Sequence, residues 1–263
     1  MARPALPPGD RLHPIAVVRV VRRNFLSWRR FYRTSLVSAL GEPLLLLVGL
    51  GWGLGRLVGT IEGVPYAEYI ASGIVASSVM NVATFETTFG AFARMREQHT
   101  YDAIRATPVS LTEIIGGDIL FGAAKCALNA TIIVAVLVAA GLVRSRWALA
   151  LPPAGFLLGI PFGALGMVVT SRAQSWDSFT YYFTLGISVM FFFSGIFFPL
   201  ASLPLPARAL AWCLPLTHAV AITRALAVGQ VGPMLLVHAG ILAGIALVAF
   251  RSAVRRMHRR LVI

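Results

Sequence analysis

Apolar residues fill long blocks of this chain, and polar residues collect between the blocks. Six blocks reach the roughly 20 residues that a helix needs to cross a hydrocarbon core. They are Ser35–Val58, Tyr69–Phe92, Gly117–Val143, Leu149–Thr170, Phe179–Leu200 and Pro233–Arg251. Ahead of them Val17, Val18, Val20, Val21, Phe25, Leu26 and Trp28 interleave with Arg19, Arg22, Arg23, Arg29, Arg30 and Arg33. That mixture reads as an amphipathic helix lying along a membrane surface; the alternative is a solvated basic tail. Between the fifth and sixth blocks, Ala201–Gly229 is interrupted by Pro204, Pro206 and Pro215 and studded with Arg208, His218 and Arg224. So broken, it predicts short helices that dip in and out at one membrane surface. The predicted fold is an all-α integral membrane protein with six transmembrane helices. Residues 1–34 form a cytoplasmic tail with the interfacial helix. Residues 35–251 form the spanning unit, with outer re-entrant helices at 201–229, and residues 252–263 a basic cytoplasmic tail. No apolar core of signal-peptide type follows Met1, so no cleavage is expected.

Composition excludes a soluble domain and a disordered chain. Hydrophobic residues make up 57% of the 263 and charged residues 13%, against roughly 25% charged in soluble proteins. Mean hydropathy is +0.78. The net charge of +13 would suit nucleic acid, but the positions of the arginines argue otherwise. Placed on the six spans, one face holds Arg3, Arg11, Arg19, Arg22, Arg23, Arg29, Arg30 and Arg33, then Arg94, Arg96 and Arg105, then Arg172, then Arg251, Arg255, Arg256, Arg259 and Arg260. The other face holds Arg144, Arg146, Arg208 and Arg224, with Arg56 near a helix end. Basic residues concentrate on the cytoplasmic side, which puts both termini in the cytoplasm of a multi-pass inner (plasma) membrane protein. The charge then records orientation, and no nucleic acid is implied.

Catalytic motifs are missing. Lys125 is the one lysine and lacks the Gly-x-x-x-x-Gly-Lys frame of a phosphate-binding loop, so ATP hydrolysis by this chain alone is not expected. His13, His99, His218, His238 and His258 show no metal-ligand spacing. Cys126 and Cys213 are predicted in different environments, and no disulfide is expected. No catalytic residue, metal site or cofactor is assigned to the chain itself. Glu42, Glu86, Asp118 and Lys125 fall within predicted spans, where a charge is costly and usually finds a partner. Ser110-Leu111-Thr112-Glu113 fits a capping box that starts the third helix. Lys125 then lies about 22 Å along it, near the inner boundary and level with Glu86. A Glu86–Lys125 pair is predicted; the alternative is that each side chain reaches the interface separately. Glycines at four-residue spacing in the first, fourth and last spans offer smooth faces, either for packing within the chain or, in the first span, for a second protomer.

The segment from Arg94 to Ser110 is the longest mixed-charge stretch between spans. Thr100 is read as the cap of a short helix Tyr101–Ala106 that Pro108 ends. Held between two spans, such a helix suits docking to a cytoplasmic partner; the alternative is a plain loop. Its run Arg96-Glu97…Thr100-Tyr101…Ala106-Thr107-Pro108-Val109-Ser110 resembles the coupling-helix segment of type-two ATP-binding-cassette (ABC) export permeases. Ser194-Gly195-Ile196-Phe197-Phe198-Pro199…Leu203-Pro204…Leu214-Pro215-Leu216…Arg224 is similar to that family's outer re-entrant region. Glu42-Pro43 followed by Gly49-Leu50-Gly51-Trp52-Gly53, and Thr84-Phe85-Glu86-Thr87 leading into Ala91–Arg96, add to the likeness. It is greatest to the nodulation protein J subfamily of lipo-oligosaccharide exporters, relatives of daunorubicin-type drug-export permeases, and covers roughly Arg22 to Arg251. Tyr101-Asp102 departs from the family, which more often has an acidic residue first.

The resemblance implies the permease half of an exporter. Two such chains, identical or paralogous, would pair, each with a cytoplasmic ABC ATPase subunit that binds ATP and Mg. The ATPase-coupling residues would be Arg94, Arg96, Glu97, Thr100, Tyr101, Asp102, Ile104, Arg105 and Pro108. The substrate would be an amphiphile: a lipo-oligosaccharide, a glycolipid or a lipophilic drug. Phe191, Phe192, Phe193, Phe197 and Phe198 are candidates either for the path or for packing. A membrane scaffold or biogenesis subunit, and a membrane transferase acting on lipid-linked sugars, stand as alternatives.

Overall fold

The computed structural model describes residues 13–143 and 145–261; the side chains of Ser38 and Arg105 are outside the description. Arg3, Arg11 and Arg144 of the charge distribution therefore lie outside the described residues. The elements in order are a surface helix Pro14–Trp28, a long helix Tyr32–Val58, a two-strand hairpin Thr60–Ile61/Val64–Pro65 and a helix spanning 66–96. A short helix Thr100–Arg105 follows, then Leu111–Ala139, Arg146–Arg172, a helix spanning 177–193, the short pair Leu205–Cys213 and Pro215–Val228, and finally Met234–Leu261. The hairpin turn is made by Glu62 (φ 52°) and Gly63 (φ 77°), the left-handed conformations that a two-residue turn of this kind needs.

Helices 32–58, 111–139, 146–172 and 234–261 are long and apolar enough to cross a bilayer. The pair 205–213/215–228, bent by 82° at Leu214, makes a fifth if counted as one broken span. Helices 66–96 and 177–193 occupy the second and fifth predicted spans but are less apolar or shorter. Ser72, Ser77, Ser78, Thr84, Glu86 and Thr87 are buried in the first of these. The second ends at Phe193, short of the predicted Leu200, because Gly195 turns the chain at φ 77° and Pro199 cannot continue a helix. Leu45, Leu57, Leu157, Leu185, Leu236 and Val248 are each more than half exposed. Apolar surface of this extent on the outside of the bundle suits lipid rather than water.

The third long helix begins as its sequence predicts. Ser110 Oγ accepts from Glu113 N at 3.2 Å, and Glu113 Oε2 accepts from Ser110 N at 2.7 Å, a complete capping box. Glu113 Oε1 also accepts from His13 N at 2.8 Å, which fastens the start of the surface helix to the same point. The short helix differs from its prediction. It runs Thr100–Arg105, with His99 at its cap in a left-handed conformation (φ 48°) and no side-chain cap bond. Thr100 is the first helical residue, because the sharp reversal after Gln98 is taken up at His99.

Close backbone approaches set the bundle. A Cβ on Gly159 would sit 3.0 Å from Ala123 Cα and Cys126 Sγ, and one on Gly155 2.9 Å from Ala130 Cβ. The glycines of helix 146–172 thus serve packing within the chain, while Gly49, Gly53, Gly240 and Gly244 face nothing within 4 Å. The surface helix buries Val17, Val20, Asn24 and Trp28, one face at helical spacing. Val20 lies where a Gly117 Cβ would come within 2.5 Å. Gly117→Ala is therefore expected to lift the surface helix and destabilise the chain by about 1–3 kcal/mol. Faster tryptic cleavage at Arg19 and Arg22, with a lower melting temperature, is the readout; wild-type protection would show that the contact is dispensable.

The interior has two apolar regions. The outer one, on the side of helix 215–228, gathers apolar residues of 70–83, 126–137 and that helix; the inner one gathers Phe92, Met95, Tyr101, Ile114, Ile115, Met167, Ala253 and Met257. The boundary between them carries the charged groups.

Candidate functional site

Helix 66–96 presents Glu86 and, two turns on, Arg94. Arginine side chains on a helix lean back toward its N-terminus, and Arg94 Nη1 donates to Glu86 Oε1 at 2.7 Å. A side chain at residue 90 would push on this pair. A Cβ on Gly90 would lie 2.8 Å from Glu86 Oε1 and 3.3 Å from Arg94 Nη1. From helix 111–139, Lys125 Nζ donates to Glu86 Oε2 at 2.7 Å. The pair expected from depth along two spans is formed, and Glu86 holds a cation on each oxygen.

Asp118 lies two turns before Lys125 on the same helix and is fully buried. Its Oδ2 accepts from the Tyr101 hydroxyl at 2.5 Å and lies 3.4 Å from Arg94 Nη2. Its Oδ1 accepts from Asn24 Nδ2 at 2.6 Å, and Asn24 Oδ1 in turn accepts from Arg23. A continuous chain of donors and acceptors thus runs Lys125–Glu86–Arg94–Asp118, and from Asp118 to Tyr101 and to Asn24. It joins the surface helix, helix 66–96, the short helix 100–105 and helix 111–139. Burial, with the Asp118 carboxylate beside it, raises the Tyr101 phenol well above its ordinary range, so it remains a donor. In low dielectric such a network is strong when every member is partnered and costly when one is missing.

The remaining sequence-predicted residues separate into two groups. Tyr101 is buried and Ile104 packs against the inner core, so they hold the short helix from within. Arg96, Glu97, Asp102 and Pro108 are exposed, and Thr100 is half-buried. Glu97 Oε1 accepts from Trp176 Nε1 at 3.1 Å, and Trp176 stacks on Phe89 within a cluster that includes Phe92 and Phe179. The side chain of Arg105 lies outside the described residues. Glu42 is exposed on helix 32–58, away from the cluster. Phe191 and Phe197 pack against the outer core with ring centroids 5.0 Å apart, which is a packing role. Phe192 and Phe193 are exposed, and Phe198 is half-buried.

Three features escaped the sequence reading. Asn24 is an amide among valines and arginines, and only the Gly117 approach gives it a partner. Arg94, which the resemblance places among the ATPase-coupling residues, turns inward; its eight-residue spacing from Glu86 is the signal for this. The third lies on the opposite side of the bundle. The Arg224 guanidinium sits 3.7 Å over the Tyr69 ring. Its Nη2 donates to Gly195 O at 2.8 Å and its Nε to Ser72 Oγ at 3.2 Å. This pins helix 215–228 to helix 66–96 and to the break after 193.

Residues 16–228 match the protein family described as ABC-2 type transporter. The chain is similar to Nodulation protein J of Rhizobium leguminosarum bv. viciae, at 38% identity over 245 residues, covering 92% of this chain and 94% of the relative. It is also 38% identical to Nodulation protein J of Rhizobium meliloti (strain 1021) over 247 residues, 93% and 94% of the two chains. Nodulation protein J of Bradyrhizobium diazoefficiens is 37% identical over 245 residues, 92% and 93%.

Proposed function

Because the chain belongs to the ABC-2 type transporter family, we propose that it is the permease subunit of an exporter powered by a separate cytoplasmic ATPase subunit. That subunit binds the ATP and Mg²⁺; this chain provides the membrane path. Helices 32–58, 66–96, 111–139, 146–172, 177–193 and 234–261 are the six crossings of the plasma membrane, with both termini cytoplasmic and the bent pair 205–228 re-entrant from outside. Two such chains pair around the path. The cargo is an amphiphile of the lipo-oligosaccharide, glycolipid or lipophilic-drug class.

The observation that carries this reading is the bond from Tyr101 to Asp118. The segment 96–108 around the short helix presents Arg96, Glu97, Asp102 and Pro108 outward, where an ATPase subunit would press. Inward it is tied to a buried ion network that also holds the surface helix and two long helices. A displacement of the short helix cannot be absorbed locally, since packed interiors shift as units between discrete arrangements. It is passed to helices 66–96 and 111–139 together.

The test is uptake of a lipo-oligosaccharide into inverted vesicles carrying the chain and its ATPase subunit. Uptake is expected to need ATP and both chains. Deleting residues 101–107 is expected to abolish co-purification of the ATPase subunit. ATP-independent uptake would overturn the exporter reading, and ATPase retained after the deletion would overturn the docking assignment.

A further inference from the structure

The last helix carries one continuous outward face whose character changes along its length. Met234, Val237, Ile241 and Val248 recur at three-, four- and seven-residue spacing and are all exposed. One turn later the same face continues as Arg251, Ser252, Arg255 and Arg259, with Arg256 beside them. These residues and Val248 line a groove of about 460 Å³. Among the described residues no carboxylate pairs with any of these four arginines; Arg256 Nε reaches only Ser252 Oγ, at 3.3 Å.

The stripe is held in place from behind. Ala249, Ala253, Val254 and Met257 are buried on the inner core. Arg260 Nη1 donates to Thr170 O at 3.0 Å and Ser171 O at 3.3 Å, the open carbonyl end of helix 146–172. The extension of the helix past Val248 is thus a fixed part of the bundle, and the four arginines project from fixed backbone positions.

We propose that this groove is a binding site for an anionic phospholipid of the inner leaflet. The phosphate is taken by Arg251, Ser252 and Arg255, and the acyl chain lies along Val248 and Ile241. The apolar stripe from Met234 to Val248 covers about 21 Å of helix, so Arg251 and Arg255 fall where the hydrocarbon ends and headgroups begin. A soluble protein partner would complement the arginines but not the apolar stripe that runs into them. A phospholipid complements both at once. The inference rests on the chain spanning a membrane and is independent of what the chain transports.

Native mass spectrometry of the full-length chain, titrated with phosphatidylglycerol or with phosphatidylcholine, tests it. Each arginine near an anionic surface is worth roughly a fivefold gain in affinity. The triple variant Arg251→Gln/Arg255→Gln/Arg259→Gln is expected to bind phosphatidylglycerol on the order of 100-fold more weakly. The corresponding triple lysine variant is expected to retain most binding, since charge is conserved. If the triple glutamine variant cannot be purified, Arg255→Gln alone is expected to show about a fivefold loss. Equal binding of the two lipids by the wild-type chain would overturn the proposal. So would glutamine variants that keep phosphatidylglycerol but lose a co-purifying protein subunit, which would make the groove a protein surface.

Discussion

Glu86→Gln is expected to lower the stability of the purified chain in detergent by about 3–5 kcal/mol, the usual consequence of breaking a buried ion pair from one side. The reason is the geometry around one carboxylate. Arg94 and Lys125 each reach it at 2.7 Å, and neither has another full partner at that distance. Arg94 retains Asp118 at 3.4 Å; Lys125 retains only contacts of about 6 Å to the Trp28 and Phe121 rings. An amide cannot balance two cations, and its NH₂ would point at one of them. Thermal unfolding of Glu86→Gln, Lys125→Met and the double variant gives the coupling. The double variant is expected to be more stable than the sum of the single effects by at least about 1 kcal/mol. Strict additivity would mean that the two residues act independently in spite of their contact.

Tyr101→Ala is expected to uncouple the short helix while leaving its outer surface unchanged. The substitution removes a fully buried ring, a loss of about 3–5 kcal/mol for large aromatic residues, and leaves the buried Asp118 with one hydrogen bond and a longer ion pair. In vesicles, ATP-dependent uptake is expected to fall by at least about tenfold, the equivalent of roughly 1.4 kcal/mol. ATPase co-purification should change little, because Arg96, Glu97, Asp102 and Pro108 still face outward. Tyr101→Phe keeps the ring and loses only the charge-assisted hydrogen bond, about 1.5–3 kcal/mol, and should fall between. A parallel loss of ATPase binding and uptake would make Tyr101 part of the docking face instead. The anchor should also resist alkaline pH. The phenol is raised in the folded chain above the unfolded value of about 10. The protonated form is the donor, so its contribution is fully present below that value and is lost only as pH rises through the higher folded one.

The architecture was largely readable because a bilayer restricts what a chain can do. Long apolar blocks and the proline-broken stretch before the last helix each correspond to an observed element. So does the Ser110–Glu113 capping box, since capping depends on residues three apart in sequence and on nothing remote. The Glu86–Lys125 pair was legible for a similar reason: depth along a straight helix is arithmetic. The predicted end of the fifth helix runs past Phe193 because a lone glycine such as Gly195 is tolerated within a span, and Pro199 stops a helix only at the end of the block. Thr100 was misread as a cap because cap chemistry was inferred without the left-handed turn that His99 takes.

The ion network shows where sequence reading stops. Sequence determined that Glu86, Asp118 and Lys125 lie in costly surroundings and that Tyr101 sits on a short connecting helix. Only the tertiary structure decided that Arg94 turns inward, that Asn24 reaches Asp118, and that Tyr101 closes onto the same carboxylate. Local chemistry sets helix limits and depth, which follow from spacing along one chain. The partner of a buried charge depends on which helices approach, at what distance and in what rotation. Between the surface helix and helix 111–139 it is set by a hydrogen-sized gap at Gly117, whose meaning appears only when the facing Val20 is in place.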